Sequence, residues 1–253
     1  MEKKIGEIKA EYQAASVEML PLFIEEHQMD ERAGVAALVK KASMTLQRFH
    51  EERLRTEKMK QFENKYNACQ AICGIDEVGR GPLAGPVVAG AVILPKDCEI
   101  LYLNDSKQLT EKKREELYTV IMEKAVAVGL GFVSPQRIDE INILQATYEA
   151  MRQAIQKLAV KPDILLNDAV TIPLVDIKQV PIIKGDAKSI SIAAASIVAK
   201  VTRDRLMVEY DRKYPQYGFA ANKGYGAAAH IEALKQYGPT PIHRKTFITH
   251  FYS

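Results

Sequence analysis

The sequence predicts an α/β protein, with a mixed β-sheet flanked by helices, a helical C-terminal part and an α-helical N-terminal extension. Residues 1–68 show helical periodicity and few strand signals. After residue 68, short apolar runs alternate with amphipathic segments, as in chains whose strands alternate with helices. The first two apolar runs are separated only by a loop, so they should pair as a hairpin within a mixed sheet. We expect domains at 1–68 and 69–253, with the helical part from about residue 189.

The extension should hold two or three helices. A charged amphipathic start is followed by the segment SVEMLPLFIEEH, in which Pro21 should interrupt the helix. A long helix is expected from about Asp30, a plausible N-cap, to Tyr66. Its second half is dense in charges of both signs, which is typical of a solvated face rather than a nucleic-acid footprint.

The elements of the larger domain follow from their patterns in chain order. Buried strands are expected at AICGID and VVAGAVIL, and a helix capped by Thr110 at TEKKREELYTVIMEKAV. The remaining elements are the strand AVAVGLGFV, the helix NILQATYEAMRQAIQKLA, the strands DILLNDA and VPIIKGD, the small-residue-rich helix KSISIAAASIVAKVTRDRLMVEYDRKY, and the helix AAAHIEALKQYG. This order is that of a sheet covered by helices.

Composition narrows the class of protein further. The 253 residues are 47% hydrophobic and 26% charged, with a net charge of +3, as in soluble globular proteins. No apolar run approaches the roughly 20 residues that span a bilayer, and the N-terminus lacks a signal-peptide pattern. The three cysteines lack metal-ligand spacing and are expected to be free thiols in a reducing compartment, the cytoplasm. Residues 184–245 carry 11 Lys and Arg against 5 Asp and Glu, a surplus that suits either a solvated face or a polyanion.

The loop GIDEVGRGPLAGP, residues 74–86, is loosely similar to a dinucleotide-binding turn. That turn works only where a helix follows it and its amides face the pyrophosphate. Here prolines and an apolar β-rich run follow, and the carboxylates Asp76 and Glu77 come directly before the glycines. A strand–loop–strand hairpin is therefore expected, and a dinucleotide-linked oxidoreductase is the least favoured function.

Carboxylates recur at the ends of three predicted strands. Asp76 ends AICGI, Asp168 ends DILLN and Asp186 ends VPIIKG. Sites assemble at the carboxyl ends of strands in α/β sheets, and neighbouring strands lie only about 5 Å apart. Any one of these residues alone would be interpreted as a turn or cap, but three matching placements favour a metal-dependent phosphoryl-transfer site. Glu77 points away from Asp76 in a regular strand and joins the group only where the strand twists.

Such a cluster requires a compensating cation, because like charges at this distance raise each other's pKa. Oxygen ligands suit Mg²⁺ or Mn²⁺. Two ions would activate a water and stabilise the leaving oxygen, with Asp76 as the candidate shared ligand. Nearby basic residues are candidates for contacts to backbone phosphates, and some of them are expected to be ordinary surface charges: Lys184, Lys188, Lys200, Arg203 and Arg205.

At this point the chain resembles the type 2 ribonuclease H family, specifically bacterial ribonuclease HII. The resemblance covers about residues 70–250 through GIDEVGRGPLAGPVVAGAVIL, NDSKQL, IDEINILQAT, IIKGDAKSISIAAASIVAKVTRDR, YPQYGF, NKGYG and HRKTF. It implies a ribonuclease H-like fold. It also implies hydrolysis of the RNA strand of RNA–DNA hybrids, and cleavage 5′ of ribonucleotides embedded in duplex DNA that leaves 3′-hydroxyl and 5′-phosphate ends. A monomer working in ribonucleotide removal, with two Mg²⁺ or Mn²⁺ ions, is expected; protein partners are not indicated.

The resemblance also implies roles for individual residues. The family's four acidic residues fall on Asp76, Glu77, Asp168 and Asp186. Its Gly-Arg-Gly turn, which senses the ribose 2′-hydroxyl through backbone groups, falls on Gly79, Arg80 and Gly81, where bare glycines allow close approach to a sugar. The remaining substrate contacts implied are the junction-packing Tyr225 and the phosphate-binding Lys107, Lys184 and Lys223.

Arg80 separates the chain from ribonuclease HIII, which lacks an arginine between these glycines and has a β-containing extension. Three positions depart from the usual family pattern. Asn167, before Asp168, stands where an apolar residue is usual; Gln108 stands where a lysine is common, and Ala227 where a threonine is frequent. Asn167 should face away from the site and, if buried, needs hydrogen-bond partners.

Two further functions stay open on the residues alone. A junction resolvase would cut branched DNA without needing a ribose, and a non-catalytic hybrid-binding module would bind without a divalent ion. His230 and His243 are not required as acid or base in a two-metal mechanism, and a surface or loop-packing role is expected for both.

Overall fold

The computed structural model describes residues 3–251. The chain divides into two compact units between Glu57 and Lys58. The first unit is helical, and the second contains a β-sheet with helices around it.

The first unit is built from α1 (Ile5–Ala14), α2 (Leu20–His27) and most of α3 (Ala33–Met59), whose last two residues belong to the second unit. Their apolar faces bury a small core, formed by Ile8, Leu20, Phe23, Val35 and Ala42.

Two predictions in this region are wrong. Pro21 lies in the first turn of α2 and does not interrupt the helix, because a proline in the first turn removes an N–H that has no helical partner. Asp30 does not cap α3: its carboxylate accepts from the backbone N–H and the guanidinium of Arg32, and the helix begins at Ala33.

The second unit is organised around a five-stranded sheet in the described chain, with the order β3-β2-β1-β4-β5. The strands are β1 (Ile72–Val78), β2 (Val87–Ile93), β3 (Ala127–Val133), β4 (Ile164–Asp168) and β5 (Lys178–Ile182). The first three pair antiparallel, whereas β4 and β5 run parallel to β1. The predicted hairpin and mixed sheet are confirmed, and the carboxyl ends of β1, β4 and β5 lie at one edge.

Helices cover both faces of the sheet and form the C-terminal part. They are α4 (Gln61–Lys65), α5 (Glu111–Lys124), α6 (Pro135–Gln156), α7 (Ile190–Lys213), α8 (Phe219–Asn222), α9 (Ala228–Tyr237) and α10 (Lys245–Ile248). Thr110 caps α5 as predicted, its hydroxyl accepting from the N–H of Lys113 at 3.2 Å. Helix α6 begins earlier than predicted and is interrupted at Asn142, which has a left-handed φ of 65°.

Helix α7 packs directly on the backbone of β1 and β2. A Cβ at Gly74 would lie 2.0 Å from the carbonyl carbon of Ser191, and one at Gly90 would lie 2.6 Å from the carbonyl oxygen of Ala195. Only glycine in the strands and small residues in the helix permit this approach. The close packing explains the SISIAAAS run and fixes the start of α7 beside the carboxyl end of the sheet.

No helix within residues 3–251 is both long and apolar enough to cross a membrane.

Candidate active site

The two carboxylates of the first motif lie on the central strand. Asp76 and Glu77 are the fifth and sixth residues of β1, so the strand continues to Val78 past the point where the sequence suggested it would end. Ile72 to Ile75 are buried between β2 and β4, which anchors the strand. Asp76 is 7% exposed, and Glu77 is half-buried.

The other two carboxylates come from the parallel strands. Asp168 is the last residue of β4. Asp186 lies four residues beyond the end of β5, in a 3₁₀ turn formed by Gly185–Ala187. The N–H of Gly185 donates to Oδ1 of Asp168 at 2.7 Å. The turn after β5 is therefore tied directly to the carboxylate at the end of β4.

The four carboxylates act on one another electrostatically. Burial raises the pKa of Asp76 well above its ordinary value, and the charges of Glu77 and Asp168 raise it further. Burial also raises the pKa of Glu77, where Asp168 adds to the effect and Arg80 opposes it. The pKa of Asp186 is raised to about 6 by burial and then by Asp105 and Asp168. The negative charge of Asp168 thus acts on all three of the others.

This donor set fits a hard divalent cation. The available ligand atoms are carboxylate oxygens, which Mg²⁺ and Mn²⁺ prefer. Of the four residues, Glu77 pairs with a cation of the chain, Arg80, at 3.4 Å. Carboxylates that are buried together and raise one another's pKa values are what an added divalent charge would stabilise.

A different trio has the tightest arrangement in the described part of the chain. Glu11, Glu26 and His27 offer ligand atoms that all lie within 4.8 Å of one another, and no three of the strand-end carboxylates do so. However, Lys3 lies 2.7 Å from the carboxylate of Glu11 and already neutralises it.

Two buried arginines lie against the loop after β1: Arg244 binds the glycine turn itself, and Arg203 binds carbonyls of Ala84 and Pro86 further along the loop. Gly79 has a φ of 89°, and a Cβ there would lie 2.3 Å from Nε of Arg203. The guanidinium of Arg203 donates to the carbonyls of Ala84, Pro86 and Lys223 at 2.8–3.0 Å. That of Arg244 donates to the carbonyls of Gly79, Arg80 and Gly85. Burial, and the charge of Arg203 nearby, lower the pKa of Arg244 to about 9.

An open cleft of about 520 Å³ lies next to this turn. Five of the seven sequence-predicted substrate contacts line it, together with Glu77, Val78 and Ile143: Gly79, Arg80, Gly81, Lys107 and Tyr225. A Cβ at Gly81 would lie 3.7 Å from the ring of Tyr225, so the aromatic ring sits against the turn. Lys107 also lowers the pKa values of Glu77 and Asp186, which places its charge near the carboxylates.

The other two predicted lysines do not line the cleft. Lys184 is exposed in the turn before Asp186 and has a left-handed φ of 56°. Lys223 also has a left-handed φ, and its ammonium donates to the carbonyl of Ala220.

For three further basic residues the sequence suggested phosphate contacts as one interpretation, and each of them binds a group of the chain itself. Arg203 is 0% exposed, so that hypothesis is wrong for it. Lys200 pairs with Asp204 at 2.6 Å, and Arg205 pairs with Glu115.

The two histidines pack in the interior and not on the surface. Nε2 of His230 lies 2.9 Å from Nε2 of His243, and Nδ1 of His230 is 2.8 Å from the carbonyl oxygen of Tyr225. Burial lowers the pKa of both, that of His243 to about 4. The pair therefore supports the segment that carries Tyr225.

Asn167 is fully buried, and only one end of its amide finds partners in the described chain. Its amide nitrogen donates to Oε1 of Gln179 at 2.8 Å and to the carbonyl of Val170 at 3.1 Å, whereas its Oδ1 is buried without a hydrogen-bond partner. The hydrogen bonds that a buried asparagine requires are therefore only partly made at this departure from the family pattern.

Sequence reasoning missed three residues of the site. Asp105 raises the pKa of Asp186, and the hydroxyl of Ser196 on α7 lowers that of Asp76. Asp105 lies within the motif NDSKQL, where it could have been noticed. Arg244 lies far from the glycine turn in sequence, and nothing local to either segment indicates their contact.

A mixed five-stranded sheet flanked by helices, with acidic residues gathered at the carboxyl ends of its parallel strands, defines a hydrolase of the ribonuclease H class. The family model of ribonuclease HII matches residues 73–250, and that of the ribonuclease HII N-terminal domain matches residues 4–67. The chain belongs to the ribonuclease HII family.

Known proteins similar to the chain agree with this assignment. A ribonuclease HII of Lachnoclostridium phytofermentans is 68% identical over 224 residues, 88% of each chain. One of Clostridioides difficile is 53% identical over 249 residues, 98% of each. The crystal structure of ribonuclease H2 from Pyrococcus horikoshii superposes with a TM-score of 0.59 at 32% identity, covering 70% of this chain and 93% of that one. The predicted family and fold class are confirmed.

Proposed function

We propose that this enzyme hydrolyses the RNA strand of RNA–DNA hybrids and cuts 5′ of ribonucleotides embedded in duplex DNA. The products are 3′-hydroxyl and 5′-phosphate ends, and the activity serves ribonucleotide removal from DNA. The observation that carries the proposal is the position of a glycine turn and an exposed tyrosine directly beside four mutually interacting carboxylates.

Asp76, Glu77, Asp168 and Asp186 would hold the divalent ions, Mg²⁺ or Mn²⁺. When bound there, such ions activate a water for attack on phosphorus and stabilise the leaving 3′ oxygen. The pairing of β1 with β4 and the hydrogen bond between Gly185 and Asp168 would hold these carboxylates in place beside the turn.

The turn Gly79–Arg80–Gly81 would bind the sugar of the ribonucleotide through its backbone. The 2′-hydroxyl is the group that distinguishes RNA from DNA at a given position, and a side chain at either glycine would keep the sugar away from the backbone. The ring of Tyr225, against Gly81, would pack on the next sugar at the RNA–DNA junction. Lys107 would contact a backbone phosphate from the other side of the cleft, with Lys184 and Lys223 contributing further out.

We also propose that residues 1–68 form a helical extension, whose last residues from Lys58 pack within the second compact unit, and that residues 69–253 carry the catalytic function as a monomer. In this proposal the substrate partner is duplex nucleic acid, which the basic surplus of residues 184–245 suits.

Replacement of one carboxylate tests the proposed chemistry. Asp186→Asn keeps the size of the side chain and removes a charge that its neighbours disfavour. We expect it to stay folded and to bind an RNA–DNA hybrid, yet to lose at least about a hundredfold in cleavage rate with Mg²⁺, equivalent to about 2.7 kcal/mol in the barrier. Gel-based cleavage and fluorescence anisotropy give the two readouts.

The matched control is Asp176→Asn. Asp176 is exposed and lies in the loop before β5, at the end of the strand away from Asp186. It should keep wild-type cleavage. Full activity in Asp186→Asn would remove this residue from the site.

A further inference from the structure

Arg244 lies in an unusual environment for a charged side chain. It is 0% exposed, and in the described chain its guanidinium donates to carbonyls, without a carboxylate in contact. Nη1 is 2.8 Å from the carbonyl oxygen of Arg80, and Nη2 is 2.5 Å from that of Gly79. Nε and Nη2 both reach the carbonyl of Gly85. One side chain therefore holds both sides of the loop.

These contacts fix the direction of two peptide groups. In a trans peptide the C=O and the N–H of the same unit point in opposite directions, and the described chain has no cis bonds. The carbonyl of Gly79 shares its unit with the N–H of Arg80, and the carbonyl of Arg80 shares its unit with the N–H of Gly81. Because Arg244 holds both carbonyls, both N–H groups point away from it, as two consecutive donors.

Arg244 is itself held on several sides. Its backbone N–H donates to the carbonyl of Leu83 at 2.9 Å, and its guanidinium lies 5.1 Å from the ring centre of Phe247. The preceding residue, His243, pairs with Ala84 in an isolated β-bridge. The guanidinium is thus a rigid support for the turn.

We infer that Arg244 is the positioning residue for ribose recognition: its guanidinium orients the Arg80 and Gly81 N–H groups toward the sugar. The inference rests on the proposed function, because it explains how the turn that is proposed to bind the ribose is held in place. Arginine suits the role because its planar fork offers five fixed donors, whereas lysine offers one movable ammonium.

The test measures preference for ribose rather than activity alone. In an Asp186→Asn background, which limits cleavage, affinities are measured for a duplex with one ribonucleotide and for the all-DNA duplex of the same sequence. Adding Arg244→Lys should reduce the ratio of the two affinities by about tenfold, the size of one well-placed hydrogen bond. Affinity for the all-DNA duplex should change little.

Arg203→Lys is the matched control. Arg203 is equally buried and also donates to three carbonyls, but these belong to Ala84, Pro86 and Lys223, outside residues 79–81. It should lower the melting temperature about as much as Arg244→Lys and leave the ratio within about threefold of the parent, since no sugar-facing peptide is released. An equal fall of the ratio in both variants, or no fall in Arg244→Lys, would overturn the inference.

Cleavage by the wild-type chain separates this inference from the proposed function. If the wild type does not distinguish the ribonucleotide duplex from DNA, the proposed function fails and the inference with it. If the wild type discriminates and Arg244→Lys discriminates equally well, only the inference fails.

Should Arg244→Lys not fold, amide hydrogen exchange in the Asp186→Asn protein provides the second readout. The ribonucleotide duplex should protect the Arg80 and Gly81 amides more than the all-DNA duplex does. Equal protection by both duplexes would contradict the orientation that Arg244 imposes.

Discussion

Asp186 shows how its neighbours set the chemistry of a single carboxyl group. It lies in a 3₁₀ turn, half-buried, where Asp105 and Asp168 add negative potential and Lys107 removes part of it. The result is a pKa of about 6, compared with an ordinary value of 3.8. In the proposed metal site, a proton and a divalent cation would therefore compete for this residue near neutral pH.

The metal-free protein should reveal this shift as a pH-dependent stability difference. The folded chain holds the Asp186 proton more tightly than the unfolded chain, so its stabilising contribution is complete below about pH 3.8 and is lost as the pH rises through about 6. In EDTA at pH 7, Asp186→Asn should melt at a higher temperature than the wild type, and the difference should shrink by pH 5. A difference that is constant across this range would show that the pKa is not raised.

At the residue scale, the sequence predicts the four acidic residues and the glycine turn from local motifs. Strand ends indicate Asp76, Asp168 and Asp186, and the family resemblance adds Glu77 and the role of the turn. The two buried arginines that bind the loop after β1 could not be found in this way. Arg244 and Arg203 lie more than a hundred residues from the carbonyls of Gly85 and Pro86 that they bind. The sequence does not distinguish a buried arginine that binds backbone carbonyls from an exposed arginine that binds phosphate. For this reason the sequence suggested a phosphate contact for Arg203, which binds carbonyls instead.

At the element scale, helix α7 connects the sheet to the site. Gly74 and Gly90 let it approach the strands to backbone distance, and its first turn follows Asp186 directly. Ser189 caps this helix, its hydroxyl accepting from the N–H of Ile192 at 3.2 Å. The run of small residues predicts that the helix packs closely on a sheet. It does not indicate which side chain binds the N-terminus of the helix.

That partner is Glu63, on α4. Its Oε1 accepts from the hydroxyl of Ser189 at 2.5 Å and from the N–H of Ser191 at 3.0 Å. A carboxylate at a helix N-terminus is stabilised by the exposed N–H groups and by the helix dipole. Glu63 thus anchors the turn that carries Asp186.

Glu63→Ala should therefore destabilise the protein by about 1–2 kcal/mol, the range for a lost helix cap. In thermal denaturation this corresponds to a fall in melting temperature of roughly 2–8 °C. Glu123→Ala, at an exposed position near the end of α5, is the control and should change stability by less than about 0.5 kcal/mol. Equal melting temperatures for the two variants would show that Glu63 does not stabilise α7.

At the scale of the whole molecule, the division of the chain differs in position from the sequence-based one. The compact units meet between Glu57 and Lys58, so the second unit includes α4 and Glu63. The family models leave residues 68–72 between them. Helical periodicity runs through residues 33–65 with little interruption, which is why composition placed the boundary at the first strand, near residue 68.

The fold class could be predicted because alternation of strands and helices is a local signal repeated along the chain. The end of β5 at Ile182 could not be predicted, since the apolar run continues to Ile183, one residue past the end of the strand. The contact between Arg244 and the glycine turn also could not be predicted, because it depends on tertiary packing, which a local sequence pattern does not indicate.

The central claim is that metal ligands and ribose recognition act together within one hairpin, from Asp76 to Gly81. The most direct test is to incubate the full chain and Mg²⁺ or Mn²⁺ with a DNA duplex that carries one ribonucleotide, beside the all-DNA duplex. We predict a single cut on the 5′ side of the ribonucleotide, with 3′-hydroxyl and 5′-phosphate ends, no cut in DNA, and no cut in either duplex with EDTA. Equal cleavage of both duplexes, or cleavage of neither with Mn²⁺ present, would contradict the claim.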